Sequence, residues 1–574
     1  MSEHNEKGSR VHGFEGSGSE TRTPEPQNPG TPSGSGHDRE IRLAKLAKLR
    51  EAGVNPYAYK WDRTHTNAKA IADFERVQNP ESRGGAGVQG STVLGAGLGQ
   101  EPTSSAESVM SRTESPKTGD SPSERQERGT VPVFGSCPAP LEVRVAGRLM
   151  SRREHGKTQF AHIQDETGKL QLYLRKDTLG EQAFANLGLL DLGDFVGARG
   201  EMFRTKTGEV TVNVKELVLL TKSLHPLPEK FHGLTDVEIR YRQRYVDLIV
   251  NQESRQVLIN RTRVTALVRR FLSERGFVEV ETPILQPIYG GAAARPFETF
   301  YNVLEQKMFM RISDELYLKR LIVGGLEKVF EIGKDFRNEG LDRTHNPEFT
   351  QMELYCAYID YNDLMVLVED LFRFLAMELC GKTEIPFGDH VMDFGRPWQR
   401  VKFVDTLAAQ IEADPLKLSI PMLKKVAARF NVETSDDISR AKLLDKLFSE
   451  LIQDHIIDPT FVMDHPKVTT PLAKTHRGNP ELVERFEPVV CGMELGNAFS
   501  ELNDPAEQRQ RFEEGVAQNE EFATVDEDYC TALEFGMPPT GGLGLGIDRI
   551  AMLLTNSPTI RDVILFPQLR PMKD

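Results

Sequence analysis

The chain has 574 residues, of which 39% are hydrophobic and 27% charged, and its net charge is −14. That length exceeds one hydrophobic core and implies several domains of ordinary water-soluble composition. No apolar run is long enough for a membrane span, no charged-then-apolar leader opens the chain, and the acidic balance argues against indiscriminate nucleic-acid binding.

Residues 1–37 are rich in Gly, Ser, Pro and Glu, the composition of a disordered tail. A basic helix is expected from about Asp38 to Ala52, with Gly53 as its stop, inside an N-terminal region of residues 38–74. Arg42, Lys45 and Lys48 recur at every third position, with Leu43, Leu46, Ala47 and Leu49 mainly to the other side. Such a helix docks on a neighbour; the sharper alternative is a basic face on RNA phosphates. Residues 75–138 follow as an expected disordered insertion, since Glu75 to Val133 contain no aromatic side chain. Of the five cysteines, Cys137, Cys356, Cys380, Cys491 and Cys530, no two form a CxxC pair. They are expected to be reduced packing residues in a cytoplasmic protein, with no zinc site.

Residues 139–222 change character to short alternating strands: Val143–Leu149, Gln159–Gln164, Leu170–Leu174, Asp194–Gly200 and Glu209–Val214, with a helical stretch near Glu181–Leu187. Five strands with glycine turns predict a small barrel of the oligonucleotide-binding (OB) type. Arg144, Arg148, Arg152, Arg153, Lys157 and Lys169 interleave there with Phe160 and Tyr173. That mixture suits single-stranded nucleic acid, where bases stack on rings at roughly 1–3 kcal/mol each. A solvated barrel with incidental charge is the equal alternative.

Leu224-His-Pro-Leu-Pro reads as a linker, and residues 223–250 as a hinge. A helix is expected from Ser254 to Arg275, closed by Gly276, then the strand Phe277-Val-Glu-Val-Glu-Thr-Pro; residues 251–574 read as one large mixed domain. Its richest stretch runs from Glu327 through Phe336-Arg-Asn-Glu-Gly340 and Thr344-His-Asn-Pro-Glu-Phe349 to Tyr355. Two antiparallel strands joined by a charged loop are predicted, with Arg337 and Glu339 sharing a face, as do Phe349, Gln351, Glu353 and Tyr355. Such a hairpin offers a guanidinium for phosphate or carboxylate, a ring for a base and carboxylates for a cation.

Four further segments carry chemistry. Gly290-Gly291 opens a small-residue loop that lets backbone approach a ligand. Glu315 opens a helical pattern, where a first-turn acid is usually a favourable charge and nothing more. In Arg485 to Asp504, a turn at Cys491-Gly492 brings Glu487 and Glu494 together as hard oxygen ligands suited to Mg²⁺, while Asn497, Phe499 and Glu501 share a face. Gly541-Gly-Leu-Gly-Leu-Gly-Ile-Asp-Arg549 lacks the GK[ST] of a phosphate loop and reads as a tightly packed strand feeding a helix. The apolar repeat from Lys442 to Ile457 is taken as helix packing.

In this order the pieces resemble a class II aminoacyl-tRNA synthetase, and within that class the bacterial-type lysyl-tRNA synthetases. Gly276 to Pro283, Phe336 to Tyr355 and Gly541 to Arg549 match the three family motifs, and the resemblance covers roughly residues 38–74 and 139–574. It implies an α+β protein: an N-terminal five-stranded OB-type barrel that binds the anticodon, and a class II catalytic domain with a mixed, mainly antiparallel sheet flanked by helices. It implies activation of L-lysine by ATP, transfer to tRNA(Lys), and a homodimer through the first motif. Residue by residue, Phe349 and Arg549 would sandwich adenine, with Glu339 near its amino edge. Arg337, the catalytic residue, would bind the α-phosphate and the lysine carboxylate, and His345 the γ-phosphate. Glu487 and Glu494 would hold Mg²⁺, more than one ion per subunit. Glu315 and the Gly291 backbone would take the lysine α-ammonium, and Glu353, Tyr355 and Glu501 the ε-ammonium, beside Asn497 and Phe499. Arg153, Phe160, Gln171 and Glu209 match residues that contact a U-rich anticodon. An aspartyl- or asparaginyl-type enzyme shares the architecture, but Glu353 and Glu501 would repel an acidic side chain.

Overall fold

A computed structural model describes residues 35–78, 140–228, 234, 236–517 and 524–572, which divide after Leu227 into two compact units. The expectations for residues 1–34 and 79–138 lie outside the described residues. At the margins of those segments the expectation of disorder is corrected. The first helix begins at Ser35, ahead of the expected start at Asp38. A second helix, Asn67–Gln78, passes the expected boundary at Glu75. It continues because Ala70 and Phe74 are buried against the barrel, while Glu75 pairs with Arg204 at 3.4 Å.

In the first unit, strands β1 (Glu142–His155), β2 (Thr158–Gln164), β3 (Lys169–Arg175), β4 (Phe195–Arg204) and β5 (Val210–Thr221) close a barrel in the order β1-β2-β3-β5-β4. Alternate residues such as Val143, Val145, Ile163, Leu172, Val212 and Val214 fill its interior. The helix Ser35–Glu51 docks on this barrel through Leu46 and Leu49. Its basic residues serve the docking: Arg42 donates to the carbonyls of Leu192 (3.0 Å) and Ser223 (3.2 Å), and Lys45 pairs with Asp191 at 2.6 Å. The docked reading of this helix therefore accounts for Arg42 and Lys45, two of the three basic positions singled out from the sequence.

The second unit is built on a mixed sheet. Its strands run in the order β14 (Gln399–Lys402), β15 (Thr460–Met463), β16 (Arg485–Val490), β18 (Gly496–Ser500), β19 (Thr540–Gly546), β11 (Glu348–Ala357), β10 (Lys328–Phe336) and β6 (Val278–Glu279), with β17 (Met493–Glu494) paired to β16. Within this sheet only β14/β15 and β10/β6 are parallel. One face is covered by the helices Gln252–Ser273, Tyr361–Cys380 and Ile547–Leu554, whose apolar residues join Phe330, Met352, Leu354, Leu543 and Leu545 in the largest core. A separate hairpin of β12 (Glu384–Phe387) and β13 (His390–Asp393) adds Ile385 and Met392 to the same core. A small sheet of β7 (Leu285–Gln286), β9 (Gln306–Met310) and β8 (Glu298–Tyr301) carries exposed Leu285, Phe300 and Tyr301. No helix among the described residues is long and apolar enough to cross a membrane.

Two expectations change in detail. Residues 237–250, read as part of a hinge, form two short helices tied to the second unit: Arg244 donates to Leu565 O and Arg561 O, and Tyr241 to Asp562. Strand β10 ends at Phe336, so Arg337 and Glu339 lie in the loop beyond it and not on a strand face. Arg337 N still bonds Pro347 O in register, but Pro347 has no N–H to return and Asn338 N turns away to Arg295 O, so the ladder stops there.

Candidate active site

Strand β19 explains how the sheet can carry a cleft. Gly542 faces Tyr355 on one neighbour and Phe499 on the other, and Gly544 faces Glu353 and Asn497. Residues two apart share a face, so these glycines form the cleft floor while Leu543 and Leu545 point into the core. A Cβ at Gly542 would lie 1.9 Å from Glu501 Oε1 and 2.6 Å from the Tyr355 ring, and one at Gly544 2.9 Å from Gln351 Nε2. The strand is bare where the side chains of its neighbours need room.

The resulting cleft, about 1270 Å³, is lined by Gly291, Glu315, Arg337, Glu339, His345, Phe349, Glu353, Tyr355, Glu494, Asn497, Phe499 and Arg549. Glu487 and Glu501 are not among these lining residues: Glu501 is buried on the side to which a Gly542 Cβ would point, and Glu487 is held by Arg485. Gly291, at φ +85°, packs so closely that a Cβ would meet Ser313 Oγ at 2.8 Å.

One end of the cleft is acidic and buried. Glu353 accepts from Ser313 Oγ (2.8 Å), Gln351 Nε2 (2.9 Å) and Tyr355 Oη (3.0 Å). Glu315 and Glu501 meet across the ammonium of Lys319, which is fully buried. Asp314 and Asp335 bring oxygens within 4.8 Å of Glu353 and of each other. Burial, then the Glu353 charge, pushes the Asp335 carboxyl up to about 7 despite the guanidinium of Arg311 at 3.1 Å. Gly333 makes this packing possible, since a Cβ there would strike Arg311.

The other end is suited to a nucleotide. The Arg337 guanidinium lies 5.1 Å from the Phe349 ring centre. Arg549 donates to the Glu494 carbonyl and meets His345 Nε2 at 3.0 Å, while His345 Nδ1 lies 2.8 Å from Asp342. Asp548 accepts from Thr350 N at 2.8 Å and pairs with Arg261 at 3.0 Å, locking the helix start to β11. Strands β16 and β17 join through Cys491 (φ +49°) and Gly492 (φ +74°), a two-residue turn that sets Val489 opposite Glu494. Glu487, two residues before Val489, shares its face, so both glutamates project to the same side. Burial, then the Glu487 charge, holds the Glu494 carboxyl above its usual range. Two crowded hard-oxygen donors of this kind fit a divalent cation such as Mg²⁺.

On the barrel, Phe160 stacks on Tyr173 with centroids 4.8 Å apart, and Tyr173 meets Phe203 at 5.8 Å. Gln171 donates to Glu209 at 2.6 Å, and His162 Nε2 lies 2.8 Å from the same carboxylate. Arg153 stands opposite Phe160 in the β1–β2 ladder. Arg153, Phe160 and Gln171 thus lie on the adjoining strands β1, β2 and β3, and Glu209 stands just before β5.

Sequence reasoning missed Lys319, Gln351 as a donor, Arg485 and His162. A Glu315–Lys319 spacing of four ordinarily marks an exposed helix pair; the signal against that was the apolar company of Leu316, Leu318 and Ile322. Arg485 donates to Asn497 at 2.8 Å as well as to Glu487.

Comparison with known proteins supplies the family. The model of tRNA synthetases class II (D, K and N) matches residues 236–570, and that of the OB-fold nucleic acid binding domain matches residues 143–220. A protein named lysine--tRNA ligase from Aquifex aeolicus (strain VF5) is 45% identical over 93% of this chain and 95% of its own length. Proteins of the same name from Roseiflexus sp. (strain RS-1) and Citrobacter koseri are 48% and 44% identical, over 93% and 94% of this chain and 98% and 97% of their own lengths. The chain belongs to the class II tRNA synthetases of the D, K and N group.

Proposed function

We propose that this enzyme is a lysine--tRNA ligase that activates L-lysine with ATP and transfers it to the 3′ end of tRNA(Lys). The observation that carries this reading is the buried acidic cluster at one end of the cleft, where Glu315, Glu353 and Glu501 lie together. A substrate with two ammonium groups suits such a cluster, whereas an acidic side chain would be repelled. Withholding one partner of a buried ion pair costs about 3–5 kcal/mol, enough to reject neutral isosteres.

In the first step a lysine carboxylate oxygen attacks the α-phosphorus, the bond to the β-phosphate oxygen breaks, and pyrophosphate leaves. Arg337 binds both the carboxylate and the α-phosphate, which aligns the reacting atoms and offsets their charge. Phe349 and Arg549 hold adenine, Glu339 its amino edge, and His345 the γ-phosphate. Glu487 and Glu494 would hold Mg²⁺, in more than one ion per subunit, which supplies neutralisation of phosphate charge. In the second step the terminal ribose hydroxyl of tRNA attacks the lysyl carbonyl and AMP leaves. Arg153, Phe160, Gln171 and Glu209 read the anticodon on the barrel. Exposed Val278 in the first motif, together with exposed Leu285 of β7 and Phe300 and Tyr301 of β8, supports a homodimer through that motif, and the setting is cytoplasmic. The test is ATP–pyrophosphate exchange: it should depend on lysine and lead to tRNA charging, and exchange that is absent with lysine, or equal with aspartate, refutes the reading.

A further inference from the structure

Lys319 sits where the lysine substrate's own charges are to be recognised. Its side chain is fully buried. Nζ lies 2.5 Å from Glu315 Oε1 and also pairs with Glu501 Oε2. The rings of Phe499, Tyr355 and Tyr529 surround it at 5.4, 5.9 and 6.0 Å. Glu501 Oε1 has no hydrogen-bond partner among the described residues and lies beside Gly542 at the cleft floor.

We propose that Lys319 is a positioning residue for amino-acid selection: it occupies one oxygen of Glu315 and one of Glu501, and leaves the other oxygen of each for the substrate's ammonium groups. This rests on the lysine reading above. Three carboxylates, Glu315, Glu353 and Glu501, face a substrate with two ammonium groups, and the internal ammonium balances the third. Asp335, which is not one of these three, lies 3.1 Å from Arg311. Burial raises the Glu315 and Glu501 carboxyls, and at each the strongest opposing influence is Lys319. The same ammonium therefore opposes protonation of both anchors and ties them to one another.

The experiment measures KM for lysine and for ATP in pyrophosphate exchange by the full chain, in wild type, Lys319→Met and Lys319→Gln, with circular dichroism to establish folding. We expect both folded variants to raise KM for lysine about tenfold or more, with KM for ATP within about twofold of wild type. An unchanged lysine KM in either variant, equal losses for lysine and ATP, or failure of both variants to fold would overturn the inference. Wild-type protein without lysine-dependent exchange would overturn the functional reading itself, a result visible before any variant is made.

Discussion

The cleft and the barrel face both display charge and aromatic rings, but they hold them in opposite surroundings. In the cleft, Glu315, Lys319, Glu353 and Glu501 are each 6% exposed or less. On the barrel, the side chains of Glu209 and His162 are 47% and 30% exposed. Charge in the cleft is costly to leave unmatched, so each group there is decisive. On the barrel, water competes for each contact, and recognition must be summed over several modest ones.

The sharpest way to break this contrast is Glu501→Gln, which should lower kcat/KM for lysine by about a hundredfold or more while sparing ATP. Equal losses for the two substrates, measured by exchange kinetics, would remove Glu501 from the amino-acid pocket. Next is Gly542→Ala, whose Cβ meets Glu501 Oε1 at 1.9 Å. Overpacking of about 1–3 kcal/mol should appear as a rise in lysine KM of about tenfold, and a wild-type value would show that the floor can yield. On the barrel, Phe160→Ala should raise KM for tRNA about fivefold, since Tyr173 and Phe203 remain, and leave exchange untouched. Impaired exchange would place Phe160 outside anticodon recognition.

The smallest effect concerns pH. The Asp335 carboxyl is raised from 3.8 to about 7, so the folded protein retains a proton that the unfolded chain releases across that interval. Its contribution to stability is present below about 4 and is lost as pH rises towards 7. Asp335→Asn cannot ionise, and its melting temperature should fall less than that of wild type between those limits. Parallel melting curves would count against a buried, protonated Asp335.

The central hairpin was legible in the sequence because alternation and the Asn346-Pro347 break are local signals, and β10 and β11 pair as that pattern implies. The end of β10 was not, because it also depends on Arg295, a partner outside the hairpin that only the fold supplies. The helix Asn67–Gln78 escaped notice for a similar reason. Its first backbone amide bonds Asp165 at 2.8 Å, a partner 98 residues away, and its burial depends on the barrel. Lys319 was hidden because its environment, not its spacing from Glu315, decides what it does.

The two-residue turn at Cys491-Gly492 has a consequence for how this chain tolerates change in length. Side chains alternate strictly along each arm, so one added residue would swing Glu494 to the far side of its arm and part it from Glu487. The separation of the two carboxylates is thus stored as a count of residues, and a single-residue insertion there would silence the pair without altering either glutamate.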